Sequence, residues 1–241
     1  MDRNNYIEYI TGAFECNGLG HLIDSNKASK IYGLYVTLIE TNKITNLTAI
    51  TEEKDAILKH FIDSATVCDH IPSDATVLDV GCGAGFPSLP LAILRPDVKV
   101  TSIDSTGKKI NFVNATAEHL GLTNINATCT RAEDFAKNNR ESFDICTSRA
   151  VARLNVLAEL CIPFIKLDGA FVAMKSDKGS EEHAEANRGI ATLGCEFEGK
   201  QELTLSLENA TILREIYVYR KKKETPKIYP RNYSQITKKP L

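Results

Sequence analysis

The chain of 241 residues has no apolar run approaching the ~20 residues that a membrane-crossing helix needs. Its first residues, MDRNNYIEYI, lack the basic-then-apolar layout of a secretory leader, so the cytoplasm is the expected location. Paired cysteines are absent too. The seven present (Cys16, Cys68, Cys82, Cys129, Cys146, Cys161 and Cys195) are odd in number, widely scattered and form no CxxC. That spacing argues against a disulfide framework and against a zinc site, and buried, reduced thiols are expected instead. No internal repeat is found. A hydrophobic share of 43% and a charged share of 25% are ordinary for a globular protein with a real core. The length suits one α/β domain with an added element.

The net charge of −2 conceals an asymmetry. From Arg214 onward there are nine Lys or Arg against Glu215 and Glu224, a balance of +7. The other residues, 20 basic and 29 acidic, therefore carry −9. A basic end on an acidic body points to a polyanionic partner, with Lys221 to Lys239 expected against phosphates. The alternative is a solvated terminus that aids solubility.

Hydrophobic periodicity divides the chain into three parts. Residues 1–72 read as a helical extension: Ile31, Leu34, Tyr35, Leu38 and Ile39 share one helix face, and Ile57, Leu58, Phe61, Ile62 and Ala65 share another. Residues 73–220 alternate strands with helices. Strands are expected near 76–80, 98–104, 125–130, 143–148 and 169–174, and helices near 86–94, 107–120, 154–165 and 180–193. Two longer strands, 196–207 and 211–220, turn at Glu208-Asn209 and give a closing antiparallel hairpin on a mostly parallel sheet. Residues 221–241 form a basic tail.

The most informative segment is Val77-Leu78-Asp79-Val80-Gly81-Cys82-Gly83-Ala84-Gly85-Phe86-Pro87, an apolar strand entering a glycine turn and then a helix. Open α/β sheets bind nucleotides at such a turn. The dinucleotide pattern GxGxxG fails, because its last glycine falls on Phe86, and a GxxxxGK[ST] phosphate loop is absent. The pattern that stands here is DxGxGxG. An acid two residues before the first glycine suits a ligand with a positive end, and S-adenosylmethionine carries an ammonium and a sulfonium. Strand 98–104 ends in Asp104, placed to accept hydrogen bonds from ribose hydroxyls; its alternative role is capping the helix after Thr106. Arg131-Ala132-Glu133 follows the third strand, where Ala132 offers a backbone N–H and Glu133 a carboxylate to an adenine edge. By itself that tripeptide is an ordinary helix start.

The fourth strand runs into Thr147-Ser148-Arg149-Ala150-Val151-Ala152-Arg153. The Asn/Asp-Pro-Pro-aromatic run of amine methylation is missing. Cys146 has no neighbouring proline and lies inside the strand, so it reads as core rather than as a nucleophile. Arg149 can hold the donor's carboxylate, contact a phosphate, stack on a base, or simply pair with a nearby acid. An acceptor atom that needs neither base nor nucleophile fits this set, and guanine N7 is one. Catalysis would then be mostly positioning and charge relief.

Asn46-Leu47-Thr48, Lys59-His60-Phe61-Ile62-Asp63-Ser64, Asp79 to Pro90, Asp104-Ser105 and Ser148-Arg149-Ala150-Val151-Ala152 together carry a resemblance. The chain resembles the ribosomal RNA small-subunit methyltransferase G family, also called the glucose-inhibited division protein B family. The tail from Thr225 to Arg231 and its final Lys239-Pro240-Leu241 is similar to a subset of members, although Asn232 and Tyr233 depart from a more basic run. The resemblance implies a class I, Rossmann-like methyltransferase fold and N7-methylation of one guanosine in 16S rRNA, naked or in a small-subunit particle, with S-adenosylmethionine as donor. It also implies that Gly81, Phe86, Ala132, Glu133 and Arg149 contact the donor; Asp104 joins them by the strand-end argument. His60 and Asp63, three apart on one helix, could pair as an intrahelical cap or face the donor pocket, and the structural reading is preferred. No metal and no membrane partner is expected, and the chain is expected to act as a monomer. The competing readings are a noncatalytic RNA-binding or assembly protein with a retained donor pocket, and a nicotinamide-dependent oxidoreductase.

Overall fold

The computed structural model describes every residue except Ala150, Val151 and Asp177, so the Ala150-Val151 part of the motif after the fourth strand lies outside the described residues. The N-terminal stretch is helical, as its periodicity predicts. Helix α1 (Arg3–Cys16) starts on Asp2, whose side chain accepts the Asn5 N–H at 3.0 Å. Helix α2 (Ser25–Thr45) starts on Asp24 in the same way and stops at Asn46, which adopts a left-handed φ of 48°. Ile31, Leu34 and Leu38 on its inner face are fully buried. Helices α3 (Glu53–Ala56) and α4 (Asp63–Ala65) are joined by a π-wound segment, Ile57–Ile62. Such wide turns recur at functional sites, and this one carries His60.

Among the described residues seven strands follow: β1 (Thr76–Val80), β2 (Lys99–Asp104), β3 (Ile125–Cys129), β4 (Phe143–Arg149), β5 (Ile165–Lys175), β6 (Cys195–Leu207) and β7 (Ala210–Lys221). They form one sheet in the order β3-β2-β1-β4-β5-β7-β6, with β1 to β5 parallel and β7 antiparallel to both β5 and β6. Helices α5 (Ser88–Leu94), α6 (Gly107–His119), α7 (Ala132–Asn139), α8 (Leu154–Cys161) and α9 (Gly179–Thr192) link successive strands, and α10 (Tyr233–Lys238) lies near the chain end. Alternate strand residues feed two cores. Val77 and Val172 join Tyr6, Ile31, Phe61 and Leu91 on one face, so the N-terminal helices share a core with the sheet. Leu78 and Phe171 join Leu157, Ile190 and Tyr219 on the other. None of the described helices is long and apolar enough to cross a membrane.

The strand–helix alternation and the closing hairpin stand where the periodicity places them. Three details differ. Helix α8 ends at Cys161, because Pro163 has no N–H to continue it, and β5 starts at Ile165 rather than near 169. Helix α7 extends the expected helix start at Ala132-Glu133 through Asn139, and α10 carries no strong periodicity. The reading of Lys221 as a phosphate contact is wrong. Lys221 ends β7 fully buried, and its amine donates to the Ile162 carbonyl at 3.1 Å and to Thr225 Oγ1 at 2.5 Å.

The turn after β1 leaves no room for a side chain at Gly85. Its φ is +86°, and an added Cβ would sit 2.5 Å from Cδ1 of Leu89, which is itself fully buried. Gly85→Ala is therefore expected to lower the unfolding free energy by about 2 kcal/mol in urea titrations. An unchanged midpoint would mean that the turn relaxes freely.

Candidate active site

The strand order reverses between β1 and β4, which opens a crevice beyond their carboxyl ends. Gly81 and Gly83 take positive φ (75° and 57°) and turn the chain sharply out of β1. The N–H groups of Gly81 and Cys82 both donate to the Ile103 carbonyl, at 2.8 and 3.1 Å. Asp104 fastens the loop from β2: Oδ2 accepts the Gly83 N–H at 3.0 Å and Oδ1 accepts the Thr106 N–H at 2.8 Å. Asp104 does not cap α6, whose N-cap Thr106 has no side-chain cap bond; its carboxylate, with one donor per oxygen, still offers lone pairs to a ligand.

Three cavities meet here. The first, about 390 Å³, is lined by Gly81, Cys82, Gly83, Phe86, Asp104 and Arg149, with Thr48, His60 and Lys109 opposite. The second, about 230 Å³, is lined by Ile103, Ala132, Glu133, Leu160 and Tyr233. Gly81 and Asp104 line both, so the two form one elongated crevice. The structure therefore brings all six expected residues together: Gly81, Phe86, Asp104 and Arg149 along one part, and Ala132 and Glu133 along the other. A third cavity of about 580 Å³ shares His60 and Arg149 with the first and adds Lys59, Asp63, Lys175, Glu182 and Arg214.

Asp79 lies under the glycine loop with no exposed surface. One oxygen accepts the Ser88 hydroxyl and the other, Oδ1, has no partner among the described residues. Burial pushes its carboxyl up to about 6, against the lowering pull of Ser88 and Arg149. An unsatisfied buried carboxylate beside a nucleotide-sized crevice fits a ligand that brings a cation. Cys146 is fully buried in β4 and burial raises its thiol, which agrees with a core role. Burial also raises the Cys82 thiol well above its ordinary value, so it stays protonated in the cavity wall.

A sequence model of the rRNA small subunit methyltransferase G family (GidB) matches residues 27–211. The chain belongs to this family. A methyltransferase G of Clostridium perfringens is 44% identical over 231 residues, covering 94% of this chain and 95% of the relative. That of Staphylococcus saprophyticus is 46% identical over 240 residues, covering 98% of each. Among solved structures, a SAM-dependent methyltransferase from Aquifex aeolicus superposes with a TM-score of 0.53 at 18% identity, over 70% of this chain and 93% of that one. This likeness shows a Rossmann-like methyltransferase fold.

In this family member the wall between the first and third cavities is a single network. Arg149 donates from Nη1 to Asp63 Oδ2 at 3.0 Å and to the Lys59 carbonyl at 2.9 Å. Its Nη2 faces His60 Nδ1 at 3.3 Å, and its guanidinium lies 5.4 Å from the centre of the Phe86 ring. The His60 ring stacks on Phe86 at 4.2 Å and 9°. A guanidinium cannot accept, so Nδ1 does, and the His60 proton sits on Nε2, which donates to Thr48 Oγ1 at 3.0 Å. Thr48 Oγ1 also accepts the Ile50 N–H at 3.0 Å, so its own hydrogen is left for a group in the cavity. The ion pair that was the modest alternative for Arg149 exists, yet the side chain still lines both cavities. His60 and Asp63 both hold Arg149, and both also face the cavities, His60 the first and third and Asp63 the third, so the structural and the pocket-facing placements hold together. Sequence reasoning missed Thr48, Arg214 and Tyr233; only the position of Thr48 in a matched motif signalled it.

Two measurements test this wall. Asp63 is nearly buried and also accepts Arg214 Nε at 2.8 Å, so Asp63→Ala leaves two guanidiniums without their acid. It should cost about 3 kcal/mol in urea unfolding. Burial first, and the Arg149 charge second, push His60 down to about 3. The unfolded ring titrates near 6.5, so the unfolded chain binds more protons between those values. Stability should therefore fall as pH drops below 6.5, with this ring contributing up to about 1.4 kcal/mol per pH unit. His60→Asn should flatten that fall between pH 6.5 and 5, and an unaltered slope would contradict a neutral buried ring.

Proposed function

We propose that this S-adenosylmethionine-dependent rRNA methyltransferase modifies N7 of a guanosine in 16S rRNA of the small ribosomal subunit. The observation that carries the reading is the state of the proton acceptors lining the third cavity. Among the described residues these are His60, Asp63 and Glu182. His60 is held neutral with both nitrogens engaged. Asp63 is shared by Arg149 and Arg214, and Glu182 Oε2 takes Lys175 at 2.7 Å and the Leu154 N–H at 2.7 Å. None is poised to remove a proton. Guanine N7 has an in-plane lone pair and no proton to lose, so it needs no such base. Lys59, Arg149, Lys175 and Arg214 outnumber the two acids, which favours a polyanionic strand.

S-adenosylmethionine supplies an electrophilic methyl group on its sulfonium. The chain's part is to bind and orient. The Gly81–Phe86 turn lets a ligand approach the backbone, and Asp79 Oδ1 offers a charge to an ammonium. Asp104 offers lone pairs to ribose hydroxyls, while Ala132 and Glu133 face the adenine. Arg149 and His60 form the partition that positions donor and acceptor, an ordering worth roughly 7–11 kcal/mol in well-aligned reactions. In this reading residues 1–72 supply one side of that partition, 73–220 hold the donor, and the enzyme works as a cytoplasmic monomer.

Ribosomal RNA from cells lacking this protein should gain one N7-methylguanosine on incubation with the enzyme and donor, mapped by borohydride and aniline cleavage. Arg149→Ala, checked for folding by calorimetry, should lower the rate about 100-fold. Methyl found on another atom, or an unimpaired Arg149→Ala, would overturn the assignment.

A further inference from the structure

The segment after β7 returns across the molecule and ends against the crevice. Arg140 holds it at the Thr225 carbonyl, at 2.7 Å, and at the Tyr229 carbonyl. Arg231 then pairs with Glu159, a fully buried carboxylate on α8: Nη2 lies 2.6 Å from Oε2, Nε 2.9 Å from Oε1, and the Arg231 backbone N–H 2.8 Å from Oε1. Ile236 is fully buried, and Leu241 rests against Gly189 of α9, where an added Cβ would come within 2.7 Å of it. This is a fastened strap rather than a loose tail.

Between these anchors lies Tyr233. It lines the second cavity beside Ile103, Ala132, Glu133 and Leu160, and its backbone N–H donates to Glu133 Oε1 at 3.3 Å. Leu160 is the next residue after the anchor Glu159, so the fastening and the cavity wall are one residue apart on α8. Tyr233 is 37% exposed, a large aromatic residue left partly uncovered where it lines the cavity. A flat, apolar-faced base entering the cavity would cover it.

We propose that the C-terminal strap is part of the donor site, with Tyr233 a binding residue for the adenine of S-adenosylmethionine and the Arg231–Glu159 pair its positioning clamp. The proposal rests on the reading of the crevice as the donor site. Two consequences follow from the geometry. Donor affinity depends on a segment far from the glycine loop, and a bound donor in turn holds the strap down, since linkage is reciprocal.

The test uses the full chain and S-adenosylhomocysteine as probe. Calorimetry should show Tyr233→Ala binding about tenfold more weakly, Tyr233→Phe close to wild type, and Arg231→Ala weaker than wild type despite touching no ligand. Hydrogen exchange on the unaltered protein gives a second readout that does not depend on a variant folding. Saturating S-adenosylhomocysteine should slow exchange of the amides of 231–238. If the wild type binds the probe but neither Tyr233→Ala nor exchange in 231–238 responds, the strap proposal fails while the donor site stands. If the wild type does not bind the probe at all, the underlying site reading fails and the strap proposal falls with it.

Discussion

One carboxylate joins three parts of the chain that are far apart in sequence. Asp63, from the helix after the π-wound segment, accepts Arg149 at the end of β4 and Arg214 from β7. Removing a carboxylate from water costs several kcal/mol, and only close, well-aligned cations offset that. The arrangement is therefore rigid in a specific sense: if any one of the three elements moves, a charge is left buried without its partner. Arg149 is held by Asp63 and the Lys59 carbonyl, and through it His60 and Phe86 are held in turn. The partition between the two large cavities is thus built mainly by residues before the sheet begins. A Rossmann-like core alone would have the glycine turn but not the far wall that faces it.

The charge state of that wall follows from its packing. A protonated His60 would place a second cation against Arg149 in a buried site. Burial and the guanidinium both oppose it, so the ring stays neutral and serves as acceptor and donor in one line from Arg149 to Thr48. Asp79 is the converse case. It is buried with one oxygen unanswered, and it gains most from a ligand that carries positive charge to the glycine turn. The two groups pull in the same direction: the wall adds no further cation, and the floor holds a carboxylate short of one.

Local features of this fold were legible in the sequence, and non-local ones were not. The turn at Gly81, Gly83 and Gly85 reads directly, because positive φ and close approach demand glycine at fixed spacing. The alternation of β1 to β5 with helices reads from periodicity for the same reason. Arg149 and Asp63 are 86 residues apart, Tyr233 and Glu133 are 100 apart, and Arg214 and Asp63 are 151 apart, and no pattern in the sequence pairs them. Lys221 differs, because strand parity alone reports its burial. Tyr217, Tyr219 and Lys221 alternate along β7, and the period of two puts all three on the buried face. The run Lys221-Lys222-Lys223 looks like a solvated charge cluster only when strand parity is ignored.

The same consideration changes the meaning of the charge asymmetry. From Arg214 to the chain end there are nine cationic side chains, and five of them pair with acids from earlier in the chain. Arg214 meets Asp63, Arg220 meets Glu198, Lys221 meets Glu141, Lys222 meets Asp168 and Arg231 meets Glu159. A basic end on an acidic body is therefore in large part the fold's own complementarity, which draws the last segment onto the core. Under the proposed function, cationic attraction for a nucleic-acid strand then rests on the third cavity, whose lining holds Lys59, Arg149 and Lys175 besides the paired Arg214, a net excess over Asp63 and Glu182. Electrostatic steering depends on where charge is focused rather than on how much a segment carries. A lining with that excess beside the partition would draw a phosphate backbone toward the proposed acceptor site, which an end paired with its own core would not do.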